Sequence, residues 1–183
     1  MSSQKFIITG GPGSGKSTLL EALKGQGFCC FEEVSRELIK EQTALKSGVL
    51  PWENLPAFAE LVFDRMFEQY EASTEKEGIC FFDRGIPDIF GYLENSGYTI
   101  PESYLTKLQK CAFNQTVFIL PPWQEIYTQD SERPQTYEDS VSLYNAIKSA
   151  YTKQGFTLQE VPKLKIDERL RYVMSVVGED VLS

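Results

Sequence analysis

Gly10-Gly11-Pro12-Gly13-Ser14-Gly15-Lys16-Ser17-Thr18 decides how this chain is read. The stretch fits the phosphate-loop template G-x-x-x-x-G-K-[ST], with Gly10 as the first glycine and Gly15-Lys16-Ser17 closing it. A short apolar strand, residues 5–9, precedes it, and a helix start, residues 16–24, follows. Phosphate oxygens must lie against bare backbone N–H groups, which side chains would block. A helix N-terminus beyond the loop adds its positive dipole end. Lys16 is placed to reach β- and γ-phosphates, and the Ser17 hydroxyl to hold Mg²⁺. The alternative is a chance glycine-rich turn, and the strand before and the helix after argue against it. Gly10, Gly11, Pro12, Gly13, Ser14, Gly15, Lys16, Ser17 and Thr18 are therefore expected to cradle a nucleotide, ATP or GTP.

Outward from this loop, apolar runs alternate with helical patterns. Strands are expected at 5–9, 28–31, 79–82, 116–120 and 156–161. Helices are expected at 16–24, 34–46, 54–76, 86–94, 102–112, 140–153 and 167–177. Continuous apolar strands alternating with helices indicate a parallel sheet covered on both faces. The expectation is a P-loop NTPase, a three-layer α/β/α sandwich with five parallel strands, as one domain over residues 1–183. The segment 121–138 is polar and contains Pro121, Pro122 and Pro134, so it reads as a lid-like loop.

Composition narrows the partners. The formal net charge is −8 with scattered lysines and arginines, so the basic stripe of a nucleic-acid binder is absent. No apolar run approaches membrane-spanning length and no signal pattern opens the chain, so the expectation is cytoplasmic, with no membrane partner. Cys29, Cys30, Cys80 and Cys111 fit no zinc spacing and read as buried free thiols. The chain has no histidine, which excludes a histidine base, a Ser-His-Asp triad and histidine-ligated metal.

Two more segments carry chemistry. Gly78-Ile79-Cys80-Phe81-Phe82-Asp83-Arg84-Gly85 is an apolar strand ending in an acid. Beside a phosphate-loop strand, Asp83 takes the position that binds the water shell of Mg²⁺ or orients Ser17. The alternative is an acid ending a strand by turn chemistry. Arg84 is placed either to grip a phosphate bidentately or to form a surface salt bridge. The second strand runs into Glu32-Glu33-Val34-Ser35-Arg36, and ligands of open parallel sheets lie beyond C-terminal strand ends. Glu33 there could take the proton of an attacking hydroxyl, with Arg36 nearby; its alternative is a charge favouring a helix dipole. Arg133, in the lid-like segment, could clamp a transferring phosphoryl group or be a solvated loop arginine. Trp52, Phe58, Phe63, Tyr70, Phe90 and Tyr92 form an aromatic-rich region that reads as core, with stacking on an acceptor ring as the other use.

On these residues the chain resembles the small P-loop ATPases carrying the AAA-type domain shared with the NadR kinase domain. The likeness runs through residues 8–18, through Phe81-Phe82-Asp83-Arg84-Gly85-Ile86-Pro87-Asp88, and through Val117-Phe118-Ile119-Leu120-Pro121-Pro122-Trp123-Gln124-Glu125-Ile126-Tyr127. It continues at Asp130, Glu132, Arg133, Leu143, Tyr144, Tyr151, Gly155, Val161 and Pro162, and spans roughly residues 5 to 174. It implies nucleotide binding. More distantly the chain is similar to deoxynucleoside kinases, which pair a strand-end glutamate base with an acid-arginine pair and a lid arginine; Glu33, Asp83-Arg84 and Arg133 occupy those places. That likeness implies Mg²⁺-dependent phosphoryl transfer to a small, nucleoside-like acceptor, through a shorter lid with one clear arginine. The competing expectation is a nucleotide-binding switch or ATPase that controls a protein partner. A GTPase is disfavoured because no N-K-x-D segment appears, and an ABC ATPase because no L-S-G-G-Q segment does. A hexameric AAA+ motor is disfavoured by length.

Overall fold

The computed structural model describes residues 3–127 and 135–178. Five strands, β1 (Gln4–Gly10), β2 (Cys29–Phe31), β3 (Ile79–Asp83), β4 (Thr116–Leu120) and β5 (Thr157–Glu160), form one sheet in the order β2-β3-β1-β4-β5. Every pairing is parallel, with Ile7 opposite Phe82 on one side and Val117 on the other. Among the described residues seven α-helices accompany them: α1 (Lys16–Gly25), α2 (Val34–Leu45), α3 (Leu55–Ser73), α4 (Ile86–Asn95), α5 (Glu102–Leu108), α6 (Tyr137–Lys153) and α7 (Ile166–Val177).

The strands are apolar without alternation because both sheet faces are covered. Phe6, Ile8, Phe81, Phe118 and Leu120 pack on one face against Leu19 and Leu23 of α1 and Leu170, Val173 and Met174 of α7. Ile7, Cys80, Phe82, Val117 and Ile119 pack on the other against Leu143, Ile147 and Tyr151 of α6. A further apolar cluster joins α2 to α5 through Val34, Leu38, Phe58, Phe63, Ile89, Phe90 and Leu108. This is the expected three-layer α/β/α P-loop sandwich.

Boundaries move for local reasons. α3 begins at Leu55 because the Asn54 side chain accepts from the Ala57 N–H at 3.2 Å, an N-cap followed by Pro56. α6 begins at Tyr137, three residues before the expected start. There Thr136 and Asp139 form a capping box, with Thr136 Oγ1 accepting from the Asp139 N–H at 3.2 Å and Asp139 Oδ2 from the Thr136 N–H at 2.9 Å. The last residues of the 121–138 segment are therefore the first helical turn of α6. β3 runs one residue further than expected, so Asp83 is its final residue, and the Arg84 N–H still donates to Ile8 O at 2.9 Å.

β1 sits where the connections reverse direction across the sheet. Its C-terminal end and that of β3 open onto one crevice, where parallel α/β sheets hold ligands. Gly10, Asp83 and the start of α1 all border it.

Candidate functional site

The phosphate loop leaves β1 at Gly10 and enters α1 at Lys16. Gly10 has φ +152°, and a Cβ there would lie 2.5 Å from the Leu120 carbonyl oxygen, so only glycine lets the loop cross β4 this closely. Lys16 is 4% exposed, and its Nζ lies 3.2 Å from Asp83 Oδ1 and 3.9 Å from Glu33 Oε2. Two carboxylates thus hold it at the mouth of the loop. Ser17 and Thr18 are exposed to the same crevice. The Ser14 hydroxyl is buried and has no hydrogen-bond partner among the described residues.

Glu33 immediately precedes α2, yet its side chain makes no capping bond. Oε1 instead accepts from Arg84 Nε at 3.2 Å. Burial pushes the Glu33 carboxyl toward the neutral form, but Arg84, Lys16 and Arg36 outweigh it and hold the pKa down at about 2. Asp83 shifts the other way: desolvation dominates, the Lys16 charge only partly offsets it, and its pKa is raised. Asp83 Oδ1 has Lys16 within ion-pair distance but no donor in hydrogen-bonding orientation, so one buried carboxylate oxygen lacks a hydrogen bond.

Arg84 is 6% exposed and adopts φ +73°, a left-handed conformation rare outside glycine. The strain is held by a network. Arg84 Nη1 donates to Gly10 O at 2.9 Å and to Asp88 Oδ1 at 3.1 Å. Asp88, on the first turn of α4, also accepts from the Thr9 and Tyr151 hydroxyls and from the Gly85 N–H at 3.0 Å. Asp88 is 1% exposed and Tyr151 is fully buried, so β1, β3, α4 and α6 meet on one saturated carboxylate. A Cβ on Gly85 would lie 2.6 Å from Ile7 Cδ1 and 3.0 Å from the Tyr151 hydroxyl, so a side chain there would force buried neighbours to shift. Arg84 is thus no surface salt bridge.

Three cavities border this cluster. A groove of about 820 Å³ is lined by residues 13–18, Trp123, Ile126, Leu164, Ile166 and Arg169. A chamber of about 460 Å³ lies under Ser17, Glu33 and Asp83. An apolar slot of about 80 Å³ is lined by Trp52, Phe58, Met66, Tyr92 and Gln135, with Arg84 and Asp88 among its polar groups.

Of the expected site residues, the structure brings Lys16, Ser17, Glu33, Asp83 and Arg84 around one crevice with the loop residues 10–18. Arg133 lies outside the described residues. The described part of the lid-like segment borders the phosphate loop: a Cβ on Gly13 would meet the Tyr127 ring at 2.5 Å, and Tyr127 donates to the Gln135 carbonyl. Of the aromatics, Phe58, Phe63 and Phe90 are buried, while Trp52 is 50% exposed. Two participants escaped the sequence reading. Asp88 carried only a local signal, an acid at the third position of a helix. Arg169 carried none; it is 154 residues from Gly15, whose carbonyl its Nη1 reaches at 3.2 Å, and its guanidinium stands 5.4 Å from the Trp123 ring. All four cysteines are free, and burial pushes the Cys30 thiol up to about 12 and those of Cys80 and Cys111 to about 11, the reverse of reactive thiols. Among the described residues no helix is long and apolar enough to cross a membrane.

The fold and the loop define a P-loop α/β/α domain, folded like the nucleoside and nucleotide kinases. A family described as an AAA domain matches residues 5–169, and the chain belongs to that family. No curated protein matches it. Among solved structures it is similar to deoxyadenosine kinase from M. mycoides with dCMP and dCDP bound, at 18% identity over 96% of this chain and 99% of that one, TM-score 0.68. It is similar to the NadR protein in complex with NR, at 17% identity over 99% of this chain and 53% of that one, TM-score 0.68. Thymidylate kinase from Candida albicans matches at 15% identity over 97% of this chain and 92% of that one, TM-score 0.65. At these identities the likeness shows a shared fold.

Proposed function

We propose that this protein is a Mg²⁺-dependent phosphotransferase that moves the γ-phosphoryl group of ATP, or of GTP, to a hydroxyl of a small nucleoside-like acceptor. The observation that carries this reading is the buried cluster itself: a phosphate-loop lysine, two carboxylates of opposite pKa shift and an arginine converge between a phosphate groove and an apolar slot. Pairs of carboxylates pushed apart by their surroundings mark divided chemical roles.

Each residue then has a task. The loop N–H groups and Lys16 bind the phosphates, and the acceptor enters from the slot. A bond forms from the acceptor oxygen to Pγ as the bond from Pγ to the bridging oxygen breaks, and that electron pair leaves on the nucleoside diphosphate. The acceptor proton passes to Glu33. A carboxylate held at about pKa 2 is a weak base, but it is ionised and ready to accept before transfer begins. In a loose transition state the hydroxyl needs an acceptor only late in bond formation. Arg84 orients Glu33, and Arg133 is the lid clamp. Residues 1–183 act as one domain, with 121–138 as the lid.

The residues present fit Mg²⁺. Asp83 Oδ1 lacks a donor, and Ser17 is exposed to the same chamber. No group of three or more acidic, cysteine or histidine ligands exists among the described residues, which suits a cation that keeps waters and borrows phosphate oxygens. Lys16, Arg84, Glu33, Asp83 and Asp88 hold two cations against three carboxylates, so a polyphosphate needs added positive charge here. Ser17 and Asp83 would hold the ion, whose chemistry is to neutralise charge on the transferring group.

The experiment is a thermal-shift screen of nucleosides, vitamins and sugars with a non-hydrolysable ATP analogue present. A true acceptor at a hundred times its Kd stabilises by about 2.7 kcal/mol. With that acceptor, Glu33→Gln should lower kcat by about 10²–10⁴ while ATP KM moves little. If no compound raises ATP consumption above the basal rate, or Glu33→Gln keeps wild-type speed, the reading falls. A nucleotide-controlled switch acting on a protein partner then replaces it. One observation favours that second reading: the slot, at about 80 Å³, is smaller than the ~150 Å³ cavity that holds benzene, so it does not enclose a whole acceptor ring as it stands.

A further inference from the structure

Arg36 lies one turn along α2 from Glu33. Among the described residues, Arg36 and Ser17 line both the phosphate groove and the chamber under Asp83. Arg36 therefore stands where the two cavities meet, beside the Lys16–Asp83–Glu33 cluster, and its charge is among those that hold Glu33 ionised.

The ordinary use of a half-buried helix arginine is an ion pair with an acid on its own helix. Here those acids are taken. Glu32 pairs with Lys24, Glu33 with Arg84 and Lys16, Glu37 with Arg65 at 3.5 Å, and Glu41 with Arg65 at 3.3 Å. Among the described residues Arg36 makes no ion pair and no hydrogen bond. The cations nearest the cluster are committed: Lys16 to two carboxylates, Arg84 to Glu33, Asp88 and the Gly10 carbonyl, Arg169 to the Gly15 carbonyl; Lys165 lines the groove from the far side, at the start of α7. A half-buried guanidinium that, among the described residues, has no hydrogen bond or close ion pair, and that lines a crevice bordered by the phosphate loop, is placed for an anionic ligand. Its planar fork matches two oxygens of one phosphoryl group.

We propose that Arg36 grips the γ-phosphoryl group of the bound nucleoside triphosphate, as an arginine finger supplied by α2 of the same chain. This rests on the phosphotransferase reading and moves part of the expected clamp from the lid to a helix. As the acceptor–Pγ bond forms and the Pγ–bridging-oxygen bond breaks, charge spreads over the equatorial oxygens. Two N–H groups of Arg36 meet that charge on the Glu33 side, and its position on a helix fixes it before the lid acts.

The test uses the full chain in wild-type form and as Arg36→Ala, Arg36→Lys and Lys16→Ala. Two quantities are measured: the affinity ratio between Mg·AMP-PNP and Mg·ADP, and the turnover of Mg·ATP with the acceptor or with water. In wild type the γ-phosphate analogue should bind about tenfold more tightly than ADP. Arg36→Ala should bind ADP within about threefold of wild type and lose that preference. Its turnover should fall at least about a hundredfold, against about 10³–10⁵ for arginine fingers in general. Arg36→Lys should recover only part of the loss, because a point charge replaces a fork. Wild-type preference and turnover in Arg36→Ala overturn the proposal. So does an equal loss of ADP and AMP-PNP binding with a lowered melting temperature, which marks a structural role. If wild type transfers phosphate to nothing, the phosphotransferase reading fails by itself, and the analogue-to-ADP ratio still decides whether Arg36 touches the γ-phosphate. Lys16→Ala, weakened for both ligands, shows that the assay reads the phosphate site.

Discussion

The phosphate groove and the apolar slot flank the same buried cluster and are built in opposite ways. The groove takes six consecutive residues, 13–18, from the phosphate loop and the start of α1, and completes itself with Arg36 of α2, Trp123 and Ile126 beyond β4, and the start of α7. The slot collects Ser35 and Ile39 from α2, Trp52 from the loop before α3, Phe58 and Met66 from α3, Ile89 and Tyr92 from α4, and Gln135 from before α6. The groove is large with a mixed polar and apolar lining, the slot small and mostly apolar. A ligand that uses backbone N–H groups can be met by a rigid local turn. A ligand that uses shape needs several helices to supply its walls. The difference also sets what a mutation can reach, since the groove fails by loss of one charge and the slot by loss of packing.

Asp88→Ala should break both regions together and have the largest effect. It removes the acceptor for Thr9, Arg84, Gly85 and Tyr151 and leaves a buried arginine short of a partner. Breaking one side of a buried pair costs about 3–5 kcal/mol, and urea unfolding measures it. A loss below about 1 kcal/mol would mean that Arg84 is held without Asp88. Lys16→Ala should strike the groove alone. Charged hydrogen bonds are worth about 1.5–3 kcal/mol, so affinity for a fluorescent ATP analogue should fall about ten- to a hundredfold. Equal affinity in both proteins would remove Lys16 from phosphate binding. The smallest effect is expected for Trp52→Ala, which should strike the slot alone. Its side chain is 50% exposed, so truncation should cost about 1 kcal/mol and leave ATP-analogue affinity unchanged, while acceptor KM rises. A parallel loss of nucleotide affinity would show that the two regions are coupled through α2 and α3.

The groove was legible in the sequence and the slot was not. Gly10 to Thr18 announces itself because phosphate binding demands glycines, a lysine and a hydroxyl at fixed short spacings. Asp83 was legible for a similar reason: an apolar strand ending in an acid is a local pattern, and the sheet order puts that strand beside β1. Trp52, Phe58 and Tyr92 gave only an aromatic-rich region, since nothing local separates a buried core ring from one that faces a cavity. Glu33 was readable as an acid at a strand end. Its engagement with Arg84 rather than with the helix it precedes was not, for the two are 51 residues apart.

By itself the sequence determined the class of fold, the phosphate loop and the order of strands and helices, because periodicity, glycine spacing and capping act over a few residues. Tertiary structure alone decided which charges meet. The Tyr151–Asp88 bond spans 63 residues and the Arg169–Gly15 bond 154, and chain proximity biases neither. It also decided which way each carboxylate shifts. Glu33 and Asp83 are both buried acids beside Lys16, yet added arginines hold one down while desolvation raises the other. The physical reason is that desolvation and charge pairing depend on the full surroundings of a group, which exist only once the helices have packed on the sheet.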